Sequence, residues 1–243
     1  MNNREFVRKI TNSADSYPTR TFGVRGRVYT CVNSFSYHIV RRNSDLYDSM
    51  DGLFVDGMTM CWLINLLWSR RIPRLSFDMT GMAADLFAYL DSPENTRSVY
   101  FIGTKQEILE ETISRFRAEY PDMVIAGYRN GYFEDSHDRD EAIRAIVERD
   151  SDFTVVGMGS PLQERFALDL KNAGYRGIVF TCGGFLHQSA RRINYYPEWV
   201  DKLKLRAFYR LFHEKGMFPR LYNVLLEFPV LFTYDTIKTK LRI

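Results

Sequence analysis

Phe153-Thr-Val-Val-Gly-Met-Gly-Ser-Pro-Leu-Gln-Glu164 decides how this chain folds. The apolar run Phe153 to Val156 reads as a buried strand. It breaks at Gly157 and Gly159, and a helix start follows. Ser160 suits an N-cap, Pro161 the first helical position, and Gln163 the place where a capping box wants Glu or Gln. A strand that runs through a glycine turn into a helix gathers free backbone N–H groups and the positive dipole end at one spot. In a parallel sheet that spot lies at the carboxyl edge of the strands and suits an anionic or polar ligand. Gln163 and Glu164 add polar side chains there. An ordinary strand–helix turn is written the same way, and spacing alone leaves both readings open.

The pattern repeats outward from this stretch. Strands are expected at Arg27–Val32, Gly52–Val55, Ser98–Ile102, Val124–Ala126 and Gly177–Thr181. Helices are expected from about Phe35, over Met58–Trp68, Gly81–Leu90, Lys105–Glu119, Glu141–Arg149 and Pro161–Ala173. Strand–helix alternation predicts an α/β, Rossmann-like fold with a mainly parallel sheet and helices on both faces. Continuous apolar strands such as Val99-Tyr-Phe-Ile102 fit burial on two sides. Three segments are expected: a loose N-terminal arm over 1–25, an α/β domain over 26–195, and a mostly helical appendage over 196–243 that is basic and aromatic.

Composition narrows the class. The 243 residues are 45% hydrophobic and 26% charged, ordinary for a globular protein with a proper core. The N-terminus lacks the apolar region of a signal peptide, and no stretch approaches the ~20 apolar residues of a membrane span. Cys31, Cys61 and Cys182 are far apart in apolar surroundings and read as buried free thiols. From Lys202 onward nine basic residues face three acidic ones, whereas the preceding residues hold 24 basic and 27 acidic. A tail with that excess suggests an acidic partner.

Four strand-to-helix junctions carry polar residues or glycine: Val32-Asn33-Ser34, Val55-Asp56-Gly57, Gly103-Thr104-Lys105 and Gly157–Glu164. Gly183-Gly184 adds a further tight turn. On one sheet edge these would line a common cleft. Asp56 can act there as a general base, although a helix-capping aspartate looks the same in sequence. Gly103-Thr-Lys lacks the spacing of a phosphate-binding P-loop. The triplets Asp138-Arg-Asp140 and Asp150-Ser-Asp152 have the form of a divalent-metal ligand pair, yet the first sits in an acidic helix start that complements the dipole. His38, His137, His187 and His213 show no paired ligand spacing. No metal site is expected.

In the tail, Arg206, Arg210, Lys215 and Arg220 interleave with Phe208, Tyr209, Phe212 and Phe218. The apolar run Val224 to Phe232 follows, then a basic end. This mixture suits an anionic membrane surface or phosphate groups; a helical cap folded on the domain is the plain alternative. Nucleic acid ranks last, because no recognised module is present and the globular part is slightly acidic.

Taken together, Thr30-Cys-Val-Asn33, Val55-Asp-Gly57, Tyr100-Phe-Ile-Gly103, Gly127-Tyr-Arg-Asn-Gly-Tyr-Phe133, Val156-Gly-Met-Gly-Ser-Pro-Leu-Gln-Glu164, Cys182-Gly-Gly184, Tyr196-Pro-Glu-Trp199 and Tyr209-Arg-Leu211 resemble the WecG/TagA/CpsF family of bacterial glycosyltransferases. The resemblance runs over roughly 27 to 222. It implies inverting transfer, without a metal or other cofactor, from a UDP-sugar to a sugar on a polyprenyl-diphosphate carrier. The enzyme would sit peripherally on the cytoplasmic face of the inner membrane. Asp56 matches the proposed base, Gln163 an active-site glutamine, and Arg210 and Arg220 arginines of the appendage that approach the diphosphate. Asn33, Gly103, Gly131, Gly157, Gly159, Glu164 and Gly183 complete the expected substrate-binding set. A non-catalytic nucleotide-sugar binding module is the competing class, and a homo-oligomer is left open. Three departures stand out. An arginine shortly before Gly81 is missing from Phe77-Asp-Met-Thr80, His187 replaces an aspartate, and Asn223 replaces an arginine.

Overall fold

A computed structural model describes residues 2–190 and 222–241. At its centre six strands run parallel: β1 (Val28–Val32), β2 (Gly52–Val55), β3 (Ser98–Gly103), β4 (Val124–Arg129), β5 (Phe153–Gly157) and β6 (Ile178–Thr181). Their order across the sheet is β2-β1-β6-β5-β3-β4. Side chains alternate between faces along each strand, and helices cover both faces. Val32, Val55, Ile102, Val156 and Val179 belong to one core; Phe54, Phe101, Phe153, Val155 and Phe180 belong to the other. The α/β expectation holds, and the two cores explain why the strands read as unbroken apolar runs.

The N-terminal segment is folded rather than loose. It forms α1 (Asn3–Ser16) and α2 (Thr19–Gly23). Asn2 caps α1 through a reciprocal pair with Glu5: the Glu5 N–H donates to Asn2 Oδ1 at 3.0 Å and the Asn2 N–H to Glu5 Oε2 at 3.3 Å. Phe6, Val7 and Ile10 fall on one face and are buried in the first core. The helix also closes the exposed edge of the sheet. The N–H of Leu53 in edge strand β2 donates to Ser13 Oγ at 3.0 Å, and Lys9 Nζ donates to the Met50 carbonyl at 2.8 Å. Gly52 permits this approach, since a Cβ there would stand 2.6 Å from Ser13 Oγ.

Next come α3 (Tyr37–Arg42), α4 (Ser44–Asp48), α5 (Met58–Trp68), α6 (Met82–Leu90), α7 (Gln106–Glu119), α8 (Ser136–Arg149), α9 (Leu162–Asn172) and α10 (Phe185–Ser189). Helix α8 starts five residues earlier than expected, because Asp135 is its cap and accepts the Asp138 N–H.

A π-helical turn (Asn223–Glu227) leads into α11 (Phe228–Leu241), which docks on the domain. Phe228 and Phe232 join the first core beside Tyr37, with ring centroids at 5.4 Å for both pairs. Asn3 Nδ2 donates to Thr236 Oγ1 at 2.8 Å, and Arg41 holds Asp235 through Nε at 2.7 Å and Nη2 at 3.1 Å. This part of the appendage is therefore packed as a helical cap. Its outer face is apolar: Leu226, Val230, Tyr234, Ile237 and Leu241 recur at helical spacing and are all exposed.

Candidate active site

The strand-to-helix junctions fall on one edge, as a parallel sheet requires. Asp56 follows β2, Asn33 follows β1, Gly183 follows β6, Gly157 closes β5, Gly103 closes β3, and Gly131 lies beyond β4. After β3 the chain crosses to β4 on one side, and after β5 to β6 on the other. The junction of β3 and β5 at Gly103 and Gly157 is thus the topological switch point of the sheet. These glycines serve close packing: a Cβ on Gly103 would lie 2.3 Å from the Gly157 carbonyl oxygen, and one on Gly131 would lie 2.8 Å from Gly103 Cα. Gly159, with φ +75°, has open space on its Cβ side and faces no such neighbour. Asp56 stands three strand spacings from β5, about 14 Å, which leaves room for an extended polar ligand between them.

Gln163 and Glu164 occupy this edge differently from the sequence expectation. They are 3% and 0% exposed. Gln163 Nε2 donates to Glu164 Oε1 at 2.9 Å, and Gln163 Oε1 accepts the Gly183 N–H at 3.0 Å. Glu164 Oε1 also accepts from Thr30 Oγ1 and Ser160 Oγ, each at 2.9 Å. Thr181 Oγ1 donates in turn to Thr30 Oγ1 at 2.6 Å. The pair therefore ties the turns after β5 and β6 together from beneath. A buried carboxylate needs donors, and it takes the Ser160 hydroxyl that was expected to cap α9. The helix consequently begins at Leu162, with Pro161 at its cap position and no side-chain cap bond. Burial raises the Tyr47 phenol above its usual range, and the nearby Glu164 carboxylate adds to that.

Asp56 has a partner that the sequence did not announce. The segment after α5 returns over the end of β2, where the Leu75 N–H donates to the Val55 carbonyl at 2.9 Å. This brings Arg74 Nη2 to 2.9 Å from Asp56 Oδ1 and 2.6 Å from Asp78 Oδ2. Asp78 is held by Ser76 Oγ at 2.8 Å and the Thr80 N–H at 2.9 Å. Burial works against the Arg74 charge, but the two carboxylates outweigh it and keep the guanidinium more firmly protonated than usual. The Asp56 side chain remains 36% exposed, so one carboxylate edge is fixed and the group stays accessible. Such a set can accept a proton at Asp56 while Arg74 balances the charge.

A fixed, accessible carboxylate and glycine turns on one edge of a parallel sheet accompany a sequence match to the glycosyl transferase WecG/TagA/CpsF family over residues 4–242. The chain belongs to that family. Its match begins within α1 and ends beyond α11, so both terminal helices are part of the family's own length. The chain is 29% identical over 210 residues to the UDP-Gal:alpha-D-GlcNAc-diphosphoundecaprenol beta-1,4-galactosyltransferase of Shigella boydii, covering 86% of this chain and 87% of that one. It is 24% identical over 204 residues to the N-acetylglucosaminyldiphosphoundecaprenol N-acetyl-beta-D-mannosaminyltransferase of Bacillus subtilis (strain 168), covering 82% and 76%. The enzyme of the same name from Bacillus spizizenii is 23% identical over 185 residues, covering 75% and 68%.

Within this glycosyltransferase, Arg74 is the arginine that the fold sets against Asp56, seven residues before Gly81. Its only sequence signal was Pro73-Arg74 in an irregular stretch. Three of the four D-x-D aspartates have structural roles in the fold. Arg129 Nη2 donates to Asp138 Oδ1 at 2.6 Å, Asp150 ends α8, and Asp152 Oδ2 accepts the Ser98 N–H at 3.0 Å. Among the described residues no group of three or more His, Cys, Asp and Glu could hold a metal ion. Burial pushes the Cys61 thiol up to about 11 and Cys182 to about 12; Cys31 is pushed up by burial and then by the Asp56 carboxylate. Asn33 Oδ1 accepts the Ser36 N–H at 2.8 Å and shapes the turn after β1. Arg210 and Arg220 lie outside the described residues, as do the Tyr196–Trp199 and Tyr209–Leu211 motifs.

Proposed function

We propose that this glycosyltransferase moves a sugar from a UDP-sugar, with inversion, onto the saccharide of a polyprenyl-diphosphate carrier. The observation that carries the reading is the Asp56 carboxylate, held at 2.9 Å by Arg74 and still open to solvent. Asp56 takes the proton of the acceptor hydroxyl. The freed oxygen attacks the anomeric carbon from the side opposite UDP, the new C–O bond forms, and the bond to the diphosphate breaks with its electrons on the leaving phosphate oxygen. Attack from the opposite face inverts the anomeric centre. The departing charge needs donors fixed in advance. Backbone N–H groups at the β3 and β5 turns, with Arg210 and Arg220 of the appendage, are suited to that without a metal.

The acceptor we favour is N-acetylglucosaminyl-diphosphoundecaprenol, because the names of the three relatives share it. The donor differs among them, galactose in one and N-acetylmannosamine in two. A lipid-linked acceptor supports our reading of the enzyme as peripheral at a membrane surface, on the cytoplasmic side. No helix among the described residues is long and apolar enough to cross a membrane. The exposed stripe Leu226, Val230, Tyr234, Ile237 and Leu241 supports contact by lying on the surface instead. The deciding test offers radiolabelled UDP-galactose and UDP-N-acetylmannosamine with the lipid-linked acceptor, in EDTA. Label in the lipid fraction with released UDP is expected from one donor. UDP binding without transfer of any sugar would make the chain a binding module instead.

A further inference from the structure

A second cleft, of about 430 Å³, opens at the amino edge of the sheet, between α1, α2 and the first residues of β1 and β2. It lies across the sheet from Asp56 and the glycine turns. Strands of four to six residues separate the two edges by about 13–20 Å, so no ligand of nucleotide-sugar size reaches from one to the other. Arg8, Asn12 and Ser16 stand one turn apart on α1 and form one wall; Arg20 of α2 and Arg27 beside β1 approach from the other side; Tyr29 forms the floor.

The charge in this cleft is unbalanced. Its one lining carboxylate, Asp51, is already neutralised by Lys171 at 2.7 Å and Arg27 at 2.9 Å. Lys9 is turned to main-chain carbonyls and Asp48. The guanidinium groups of Arg8 and Arg20 make no hydrogen bond or ion pair with any described residue, although both line the cleft. Two exposed guanidinium groups and the Asn12 amide on one cleft supply the donors that a tetrahedral anion with several acceptor oxygens takes. The volume falls within the roughly 300–1,000 Å³ of small-ligand sites.

We propose that this cleft binds a phosphate-bearing anion, held between Arg8 and Arg20 and independent of the sugar-transfer site. The same α1 that carries Arg8 seats α11 through Asn3 and Phe6. An anion bridging α1 to α2 therefore braces the helix on which the appendage docks. The phosphate can come from a soluble diphosphate or from a lipid headgroup.

The test uses the full chain with saturating UDP, so that a diphosphate site at the carboxyl edge is already filled. Inorganic pyrophosphate is titrated by calorimetry into the wild type, R8A/R20A and the charge-matched control R144A/R149A on α8. A soluble source predicts binding to the wild type and control, and at least a tenfold weaker affinity for R8A/R20A with an unchanged melting temperature. A headgroup source predicts no pyrophosphate binding, but a flotation defect on phosphatidylglycerol vesicles for R8A/R20A that the control lacks. Equal behaviour of R8A/R20A and the control in both arms overturns the proposal. UDP binding by R8A/R20A, and its sugar transfer to an acceptor dissolved in detergent, stay at the wild-type level, so the outcome is separate from the fate of the proposed reaction.

Discussion

Arg74 Nη2 touches two carboxylates at once, Asp56 Oδ1 at 2.9 Å and Asp78 Oδ2 at 2.6 Å. The second contact anchors the first. Asp78 is fastened by Ser76 and Thr80 within its own loop, so the guanidinium is held in place before any substrate arrives. Removal of either partner therefore reads differently from removal of Asp56 itself.

Asp56→Asn keeps the shape of the side chain and a hydrogen-bonding oxygen for Arg74, but cannot take a proton. The expected outcome is a loss of about 10²–10⁴ in turnover, with UDP affinity unchanged. Labelled-sugar transfer beside UDP calorimetry checks it, and near-normal transfer would remove Asp56 as the base.

Arg74→Ala leaves two carboxylates facing each other without a cation. Partial solvent exposure of Asp56 softens the penalty, so a stability loss of about 1–2 kcal/mol is expected together with a fall in kcat. Asp78→Asn keeps Arg74 but loosens its anchor. We expect a smaller fall in kcat with KM for the donor unchanged. A urea melt and steady-state kinetics separate the two variants; a KM effect alone for Asp78→Asn would argue for a direct substrate contact.

Cys61 and Cys182 titrate at about 11 and 12 in the folded chain, against an ordinary thiol near 9. A folded pKa above the unfolded one means that the folded state keeps its protons longer. The stability contribution is therefore whole below about pH 9 and is lost as pH rises toward 11–12. The melting temperature should fall over that window, and the fall should shrink in Cys61→Ala/Cys182→Ala. At pH 8 a thiol reagent should label these two cysteines only after denaturation; rapid labelling of the native chain would contradict their burial.

The two faces of α11 should separate by mutation. Phe232→Ala empties a fully buried site and should cost about 3–5 kcal/mol, measured by denaturant unfolding. Val230→Glu/Ile237→Glu alters only the exposed stripe. That variant should melt within about 0.5 kcal/mol of the wild type yet lose flotation on anionic vesicles. Undiminished flotation would move the proposed membrane contact elsewhere.

The extent of most elements was legible in the chain itself. Met58–Trp68 and Gly52–Val55 have the expected bounds, and seven of the other helices and strands differ by one residue at one end or both. Local patterns suffice there, because burial on both faces makes a strand continuously apolar and a glycine must follow where two turns pack back to back. The first helix was the clear failure. Its charged face hid the spacing of Phe6, Val7 and Ile10, and its role in covering the β2 edge depends on a strand some 40 residues away.

The sequence by itself determined the parallel α/β class, the single edge that gathers Asn33, Asp56 and the glycine turns, and the family whose motifs lie there. Tertiary structure alone decided the strand order β2-β1-β6-β5-β3-β4, the burial of Gln163 and Glu164 beneath the turns, and the placement of Arg74 on Asp56. The physical reason is range. Periodicity, turn chemistry and capping act over a few neighbouring residues, whereas parallel pairing, the neutralisation of a carboxylate and the donors around a buried carboxyl oxygen depend on groups that only the folded chain brings within 3 Å.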